Sequence, residues 1–126
     1  MEPDKRTMQV LTDISNTICS EIQMEPDCPS KHQGGKMPCL DLQVWVEKGK
    51  ILHHFYCKPM ASPYTIMSTS AISMSTKRNT ILQEGLRRFK LTYRDAPANE
   101  IIQIMSKFSS KLRISGYSEN FRFEAV

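Results

Sequence analysis

Residues 77–126 read KRNTILQEGLRRFKLTYRDAPANEIIQIMSKFSSKLRISGYSENFRFEAV and carry most of the positive charge of this 126-residue chain. They hold ten basic and five acidic residues, a net charge of +5, whereas residues 1–76 have a net charge of −1. A basic surface confined to one part of a chain favours a polyanionic partner. The same charges would also suit a solvated helix face that binds nothing, and charge alone does not separate these two interpretations.

Helical periodicity runs through this stretch. Thr76 is a suitable N-cap for a helix to about Leu91, and Pro97 opens a second helix that Gly116 closes. Ser118 then starts a third, short helix. The apolar residues expected on the buried sides are Ile81, Leu82, Leu86 and Phe89, and then Ile101, Ile104, Met105, Phe108 and Leu112. Because Arg87 and Arg88 lie off the first stripe, we expect both at the flanks of a helical bundle.

The first half of the chain predicts a helix followed by a β-hairpin. Residues 7–23 have apolar side chains at steps of three and four, typical of an amphipathic helix, with Asp4 as a candidate cap. Residues 25–38 hold three prolines and two adjacent glycines, which indicates a loop. Two β-rich runs then flank Lys48-Gly49 as an antiparallel hairpin. Its expected buried side consists of Leu40, Leu42, Val44 and Val46.

These elements predict an α+β fold in three parts. An N-terminal helix and one antiparallel hairpin occupy residues 1–58, where Lys58-Pro59 ends the second strand. A Ser-, Thr- and Met-rich connector without clear periodicity occupies residues 59–76. Residues 77–126 form a basic, mainly three-helix bundle.

Composition narrows the class of protein. The chain is 40% hydrophobic and 24% charged, as expected for a globular protein, and no apolar run approaches the roughly 18 residues that cross a bilayer. Its first residues lack the apolar core of a signal peptide, so we expect an intracellular protein, nuclear or cytoplasmic, without a membrane partner. The four cysteines have no paired spacing, which predicts free thiols. A zinc site from Cys28, His32 and Cys39 would lack a matching second half, and we predict no metal.

Motifs for catalysis or cofactor binding are missing from the sequence. It has no phosphate-binding P-loop, dinucleotide-binding glycine motif, H-E-x-x-H motif, nucleophile elbow or closely spaced aspartate pair. We therefore predict no catalytic residue, no cofactor and no enzymatic activity. Asp41 is interpreted as an exposed or turn-facing carboxylate, and His53 and His54 point to opposite faces of a strand.

The order of several short motifs resembles a known family. Pro38-x-Leu40-Asp41-Leu42 leads the hairpin, and Tyr56-x-Lys58-Pro59 ends it. A connector with Ser70, Ser73 and Lys77 follows, then Arg87-Arg88 and Ser115-Gly116-Tyr117. Over about residues 8–122, this order is similar to the region downstream of the catalytic motifs in reverse transcriptases of Penelope-like retroelements.

The resemblance implies a structural and functional context. In that family the hairpin completes the edge of the palm, and the following helices form the thumb, often described as a helix-turn-helix region. The catalytic aspartates would lie upstream of residue 1, so the resemblance implies a non-catalytic fragment or remnant whose missing partner is the palm and fingers domain. By the same resemblance, Asp41 is not a metal ligand.

Three functions remain open at this point. The first is binding of template-primer nucleic acid, as a duplex or RNA–DNA hybrid, by a thumb-like bundle that contacts phosphates without reading bases. The residues expected to make these contacts are Lys77, Arg78, Arg87, Arg88, Lys107 and Lys111. The second is a stand-alone helix-turn-helix DNA-binding protein whose helix 97–115 enters the major groove. The third is a structural or protein-interaction remnant with a solvated basic face.

Overall fold

The computed structural model describes residues 5–125, which form an α+β chain. The helices are α1 (Lys5–Ile18), α2 (Met74–Lys90), α3 (Ala98–Ile114) and α4 (Glu119–Ala125). The strands are β1 (Met37–Cys39), β2 (Leu42–Glu47) and β3 (Lys50–Phe55). This arrangement confirms the predicted fold class. The chain divides into two compact units, Met1–Met37 and Pro38–Val126.

The first unit consists of α1 and a loop. The helix ends at Ile18, earlier than the predicted residue 23, and the predicted cap Asp4 lies outside the described residues. Asn16, in the last turn of α1, holds the chain that follows the helix. Its side chain accepts a hydrogen bond from Met24 N (2.6 Å) and donates one to Met24 O (3.1 Å). The loop then contains two short 3-10 turns, Pro29–Lys31 and Gln33–Gly35.

The second unit begins with a three-stranded sheet in the order β1-β2-β3. The predicted hairpin is confirmed, because β2 and β3 pair antiparallel from Leu42 opposite Phe55 to Glu47 opposite Lys50. Lys48 and Gly49 have φ angles of 50° and 74°, the left-handed conformations that a two-residue hairpin turn requires. Strand β1 was not predicted, since its Pro38 was assigned to the loop. Proline is tolerated there because β1 lies at the edge of the sheet.

The buried side of the hairpin differs from the prediction. Leu40 is 84% exposed and Val46 is 64% exposed, whereas Trp45 and Phe55 are buried. Leu40 adopts a left-handed φ of 55°, which interrupts the extended backbone before β2. The Trp45 ring packs edge-on against His54 and Tyr93. With Trp45 on the inner side, the hairpin buries a larger apolar side chain than Val44 or Val46 would provide.

The three C-terminal helices enclose the main core. Ile81 of α2, Phe108 and Leu112 of α3, Tyr117 and Ala125 form its buried cluster, with Met105 and Phe121 packed against it. The prediction that Phe108 and Leu112 lie on the buried side of α3 is confirmed. At Gly85 an added Cβ would lie 3.4 Å from a Phe108 ring carbon, so a small residue lets α2 approach α3 closely.

Helix α2 is rotated relative to the prediction. It begins at Met74, where Ser73 caps it by accepting a hydrogen bond from Thr76 N. Its buried residues are Lys77, Ile81, Gly85 and Arg88, which share one face at steps of four and three. The predicted inward residues Leu82, Leu86 and Phe89 are instead exposed, with Leu86 at 41%. Ile81 is buried as predicted, but the rest of the predicted face was wrong, because Lys77 and Arg88 find partners inside the unit.

The connector is anchored to the end of α3. Ser68 N donates to Ser115 O, Thr65 N donates to Ser115 Oγ, and the Tyr117 hydroxyl donates to Ile66 O (2.7 Å). Gly116 has a φ of 90°, and a Cβ there would lie 2.5 Å from Ser68 Oγ, so only glycine fits. The Ser115-Gly116-Tyr117 motif thus fixes the path of the connector.

The cysteines and the apolar character of the helices complete the description of the fold. Cys19, Cys28, Cys39 and Cys57 are all free thiols, as predicted. Within residues 5–125, no helix has the length and apolar character needed to cross a bilayer.

Candidate functional site

The six predicted phosphate-binding residues have different surroundings in the structure. Two are buried, Lys77 and Arg88. Arg78 and Arg87 form surface ion pairs. The last two, Lys107 and Lys111 of α3, line a cleft. The six therefore do not form one continuous basic face.

Lys77 is 3% exposed, and its ammonium group serves the fold. Its Nζ donates to Ser68 O and to Ser70 O, each at 2.7 Å. These bonds satisfy two connector carbonyls that would otherwise be buried without a donor. A phosphate cannot reach this ammonium group without displacing the connector.

Arg78 and Arg87 are exposed but engaged. Arg78 Nη2 lies 3.2 Å from Glu124 Oε2. Arg87 Nη1 donates to Asp41 Oδ2 (2.6 Å) and its Nε to Glu84 Oε2 (2.8 Å). The hydrogen bond with Glu84, supported by the one with Asp41, raises the pKa of Arg87 above its ordinary value. Asp41 is thus an exposed carboxylate that ties the start of the hairpin to α2.

Glu84 connects Arg87 with Arg88. Its Oε1 accepts from Arg88 Nε at 2.9 Å and from Arg87 Nη2 at 3.0 Å. Burial disfavours the charged carboxylate, but the hydrogen bond from Arg87 and the two guanidinium charges outweigh that effect and hold the pKa of Glu84 below its ordinary value. The carboxylate therefore stays ionised beside both arginines.

Arg88 is only 5% exposed, which corrects the expectation that it reaches the flank of the bundle. Its guanidinium carbon lies 4.4 Å from the centroid of the Phe55 ring and 4.5 Å from that of Phe108. The cation is thus held between a strand residue and a core helix residue. Only its Nε forms a hydrogen bond with residues 5–125, so its two terminal nitrogens have no acceptor there.

A cleft of about 540 Å³ lies between the end of β3, the first connector residues and α3. Lys58 lines it from the connector side, Lys107 and Lys111 line it from α3, and Arg88 lines it from α2. Lys107 and Lys111 are four residues apart and so occupy the same helix face. No carboxylate of the described chain forms an ion pair with any of the three lysines.

A second recess of about 340 Å³ adjoins the cleft. The two cavities share Tyr56, Lys58, Arg88 and Lys111 among their lining residues. Three of these four side chains are cations, so positive charge is concentrated where the cavities meet. Lys58 was not among the predicted residues, although its Lys-Pro motif was noted. It is far from the helices in sequence, so its position beside α3 could not be predicted from the sequence.

The residues that line the cleft also include neutral and acidic side chains, Gln43, His54 and Glu100. There His54 Nε2 lies 2.8 Å from Gln43 Oε1, and His54 Nδ1 lies 3.6 Å from Glu100 Oε2. His53 faces away and contacts Leu91 O through its Nδ1 (2.9 Å), so the prediction that the two histidines point apart is confirmed. No group of three or more potential metal ligands occurs in the part of the chain that the structure describes.

Comparison with known proteins gave no match among family models, curated proteins or solved structures. The geometry of the cleft and the chemistry of its residues are therefore the basis for a functional proposal.

Proposed function

We propose that this chain binds nucleic acid through the phosphate backbone. The observation that carries the proposal is that three lysines, Lys58 after β3 and Lys107 and Lys111 of α3, line one cleft without a carboxylate partner among residues 5–125. An ammonium group in such a position keeps its three donors available for an anion. The net charge of +5 in residues 77–126 adds long-range attraction for a polyanion.

The proposed binding is tolerant of sequence. Lysine contacts to phosphates position a nucleic acid but do not identify its bases. Reading by α3 in a major groove is less well supported, because Gln103, Lys107 and Lys111 line the cleft, where the connector and the end of β3 face them. A stand-alone helix-turn-helix protein is therefore the weaker alternative.

The biological setting is proposed from the resemblance described above. It supports a non-catalytic part of a Penelope-like reverse transcriptase that holds the template-primer and works with an upstream palm and fingers domain. Three residues that line both cavities, Tyr56, Lys58 and Arg88, fall within its motifs. A nuclear or cytoplasmic location belongs to the same proposal.

The test is a salt titration of binding to oligonucleotides with the intact chain. Replacing Lys107 and Lys111 together by Gln should flatten the slope of log affinity against log salt by about 1.4 to 1.8, since each lost phosphate contact removes about 0.7 to 0.9. Both lysines lie at the surface of α3, so helicity should not change.

The matched control is the double variant Lys90→Gln/Arg113→Gln. These residues are also exposed and lose the same charge, but they line neither cavity. We expect the control to retain the parent's slope. Equal flattening by both pairs would mean that charge alone attracts the ligand, and absence of binding by the parent at low salt would refute the proposal.

A further inference from the structure

We propose that the two adjoining cavities bind an unpaired strand of nucleic acid, with one phosphate held between Lys58, Arg88 and Lys111. This inference rests on the proposed function and names the form of nucleic acid that enters the cleft. It follows from the position of Arg88, the sizes of the cavities and the aromatic residue that lines both of them.

Arg88 provides the fixed part of the phosphate site. Two aromatic rings at 4.4 and 4.5 Å and the bond from Nε to Glu84 fix its plane. It lines both cavities, and its terminal nitrogens have no acceptor among residues 5–125. A planar guanidinium group with free donors can bind two phosphate oxygens at once, and its side chain needs no further ordering.

Lys58 and Lys111 complete the site from two directions. They belong to the connector side and to α3, and both line the two cavities as Arg88 does. The carboxylates Asp41 and Glu84 line the smaller cavity, but both pair with Arg87 and Glu84 also pairs with Arg88. Glu100 lines the larger cavity beside His54. Lys58 and Lys111 are thus the two cations at the junction that have no carboxylate partner among residues 5–125.

The cavity sizes favour a single strand. Volumes of about 540 and 340 Å³ fall in the range of about 300 to 1,000 Å³ that accommodates single small ligands. One nucleotide on each side of the junction suits such spaces, whereas a base pair within a duplex would have to remain outside.

Tyr56 offers the aromatic surface that unpaired bases use. It directly follows β3, is half-buried, and lines both cavities. Its backbone N–H donates to Asp41 O (2.8 Å), which fixes the main chain at this position beside the two cavities. Aromatic side chains interleaved with cations are the usual platform for single strands, because every base has a face that can stack.

The experiment compares a single-stranded 12-mer with the duplex of the same sequence, measured by fluorescence anisotropy on the intact chain. We expect the single strand to bind about tenfold more tightly, a difference typical of one stacked base. Tyr56→Leu should remove this preference, whereas Tyr56→Phe should preserve it because the ring remains. Lys58→Gln should weaken binding of the single strand, because it removes one contact to the phosphate at the junction.

The outcomes separate this inference from the proposed function. Equal or tighter binding of the duplex, with the Tyr56 variants indistinguishable, would overturn the single-strand inference and leave backbone binding standing. Failure of both ligands to bind at low salt would overturn the proposed function as well. A requirement for a 5′-terminal phosphate on the strand would show that the junction holds a strand end and would overturn a strand that passes through both cavities.

Discussion

At the scale of single residues, Arg88 links the fold to the candidate site. Phe55 of the hairpin and Phe108 of the helical core enclose its guanidinium group, so this side chain joins the sheet to the bundle. A buried cation is stable only with compensating partners, which here are two ring faces and the Glu84 carboxylate. Arg87, one residue earlier, makes its ion pairs at the surface.

This difference predicts unequal effects on stability. Arg88→Gln should lower the free energy of unfolding by about 2 to 4 kcal/mol, because it removes two desolvated cation–π contacts and a partner of Glu84. Arg87→Gln should cost about 1 kcal/mol or less, as exposed ion pairs do. Urea denaturation followed by circular dichroism measures both. Equal losses would contradict the structural role assigned to Arg88.

At the scale of elements, the sequence predicted regular patterns and missed tertiary partners. Helix α3 was predicted well because its apolar residues and its core contacts coincide at Phe108 and Leu112. For helix α2 only Ile81 of the predicted buried residues is buried, because no local pattern indicates that connector carbonyls will accept from Lys77. For the candidate site, the concentration of basic residues in 77–126 indicated Lys107 and Lys111. Lys58 was missed because its proximity to α3 depends on the fold.

The rotation of α2 can be tested with two truncations. Ile81→Ala should destabilise the chain by about 2 to 5 kcal/mol, since Ile81 is 1% exposed and its loss leaves a cavity in the core. Leu86→Ala, at a half-exposed position, should cost no more than about 1 kcal/mol. Thermal or urea unfolding would compare them. A cost at Leu86 as large as that at Ile81 would restore the face predicted from the apolar pattern, which contains both residues.

At the scale of the whole molecule, the candidate site combines three segments of the unit Pro38–Val126. The end of the hairpin supplies Tyr56, the connector side supplies Lys58, and the bundle supplies Arg88, Lys107 and Lys111. The anchoring of the connector by Ser115 and Tyr117 holds these segments together. Binding should therefore depend on the folded unit, and an unfolded basic segment should not reproduce it.

Mapping the binding surface by NMR tests directly whether the cleft lined by Lys58, Lys107 and Lys111 binds nucleic acid. A single-stranded 12-mer would be added to the ¹⁵N-labelled chain at low salt, and backbone amide shifts would be followed residue by residue. We expect the largest changes at residues 56–58 and around Lys107 and Lys111, and we expect them to reverse on addition of salt. Changes confined to the exposed Leu82, Leu86 and Phe89 face, or no changes anywhere, would contradict this expectation.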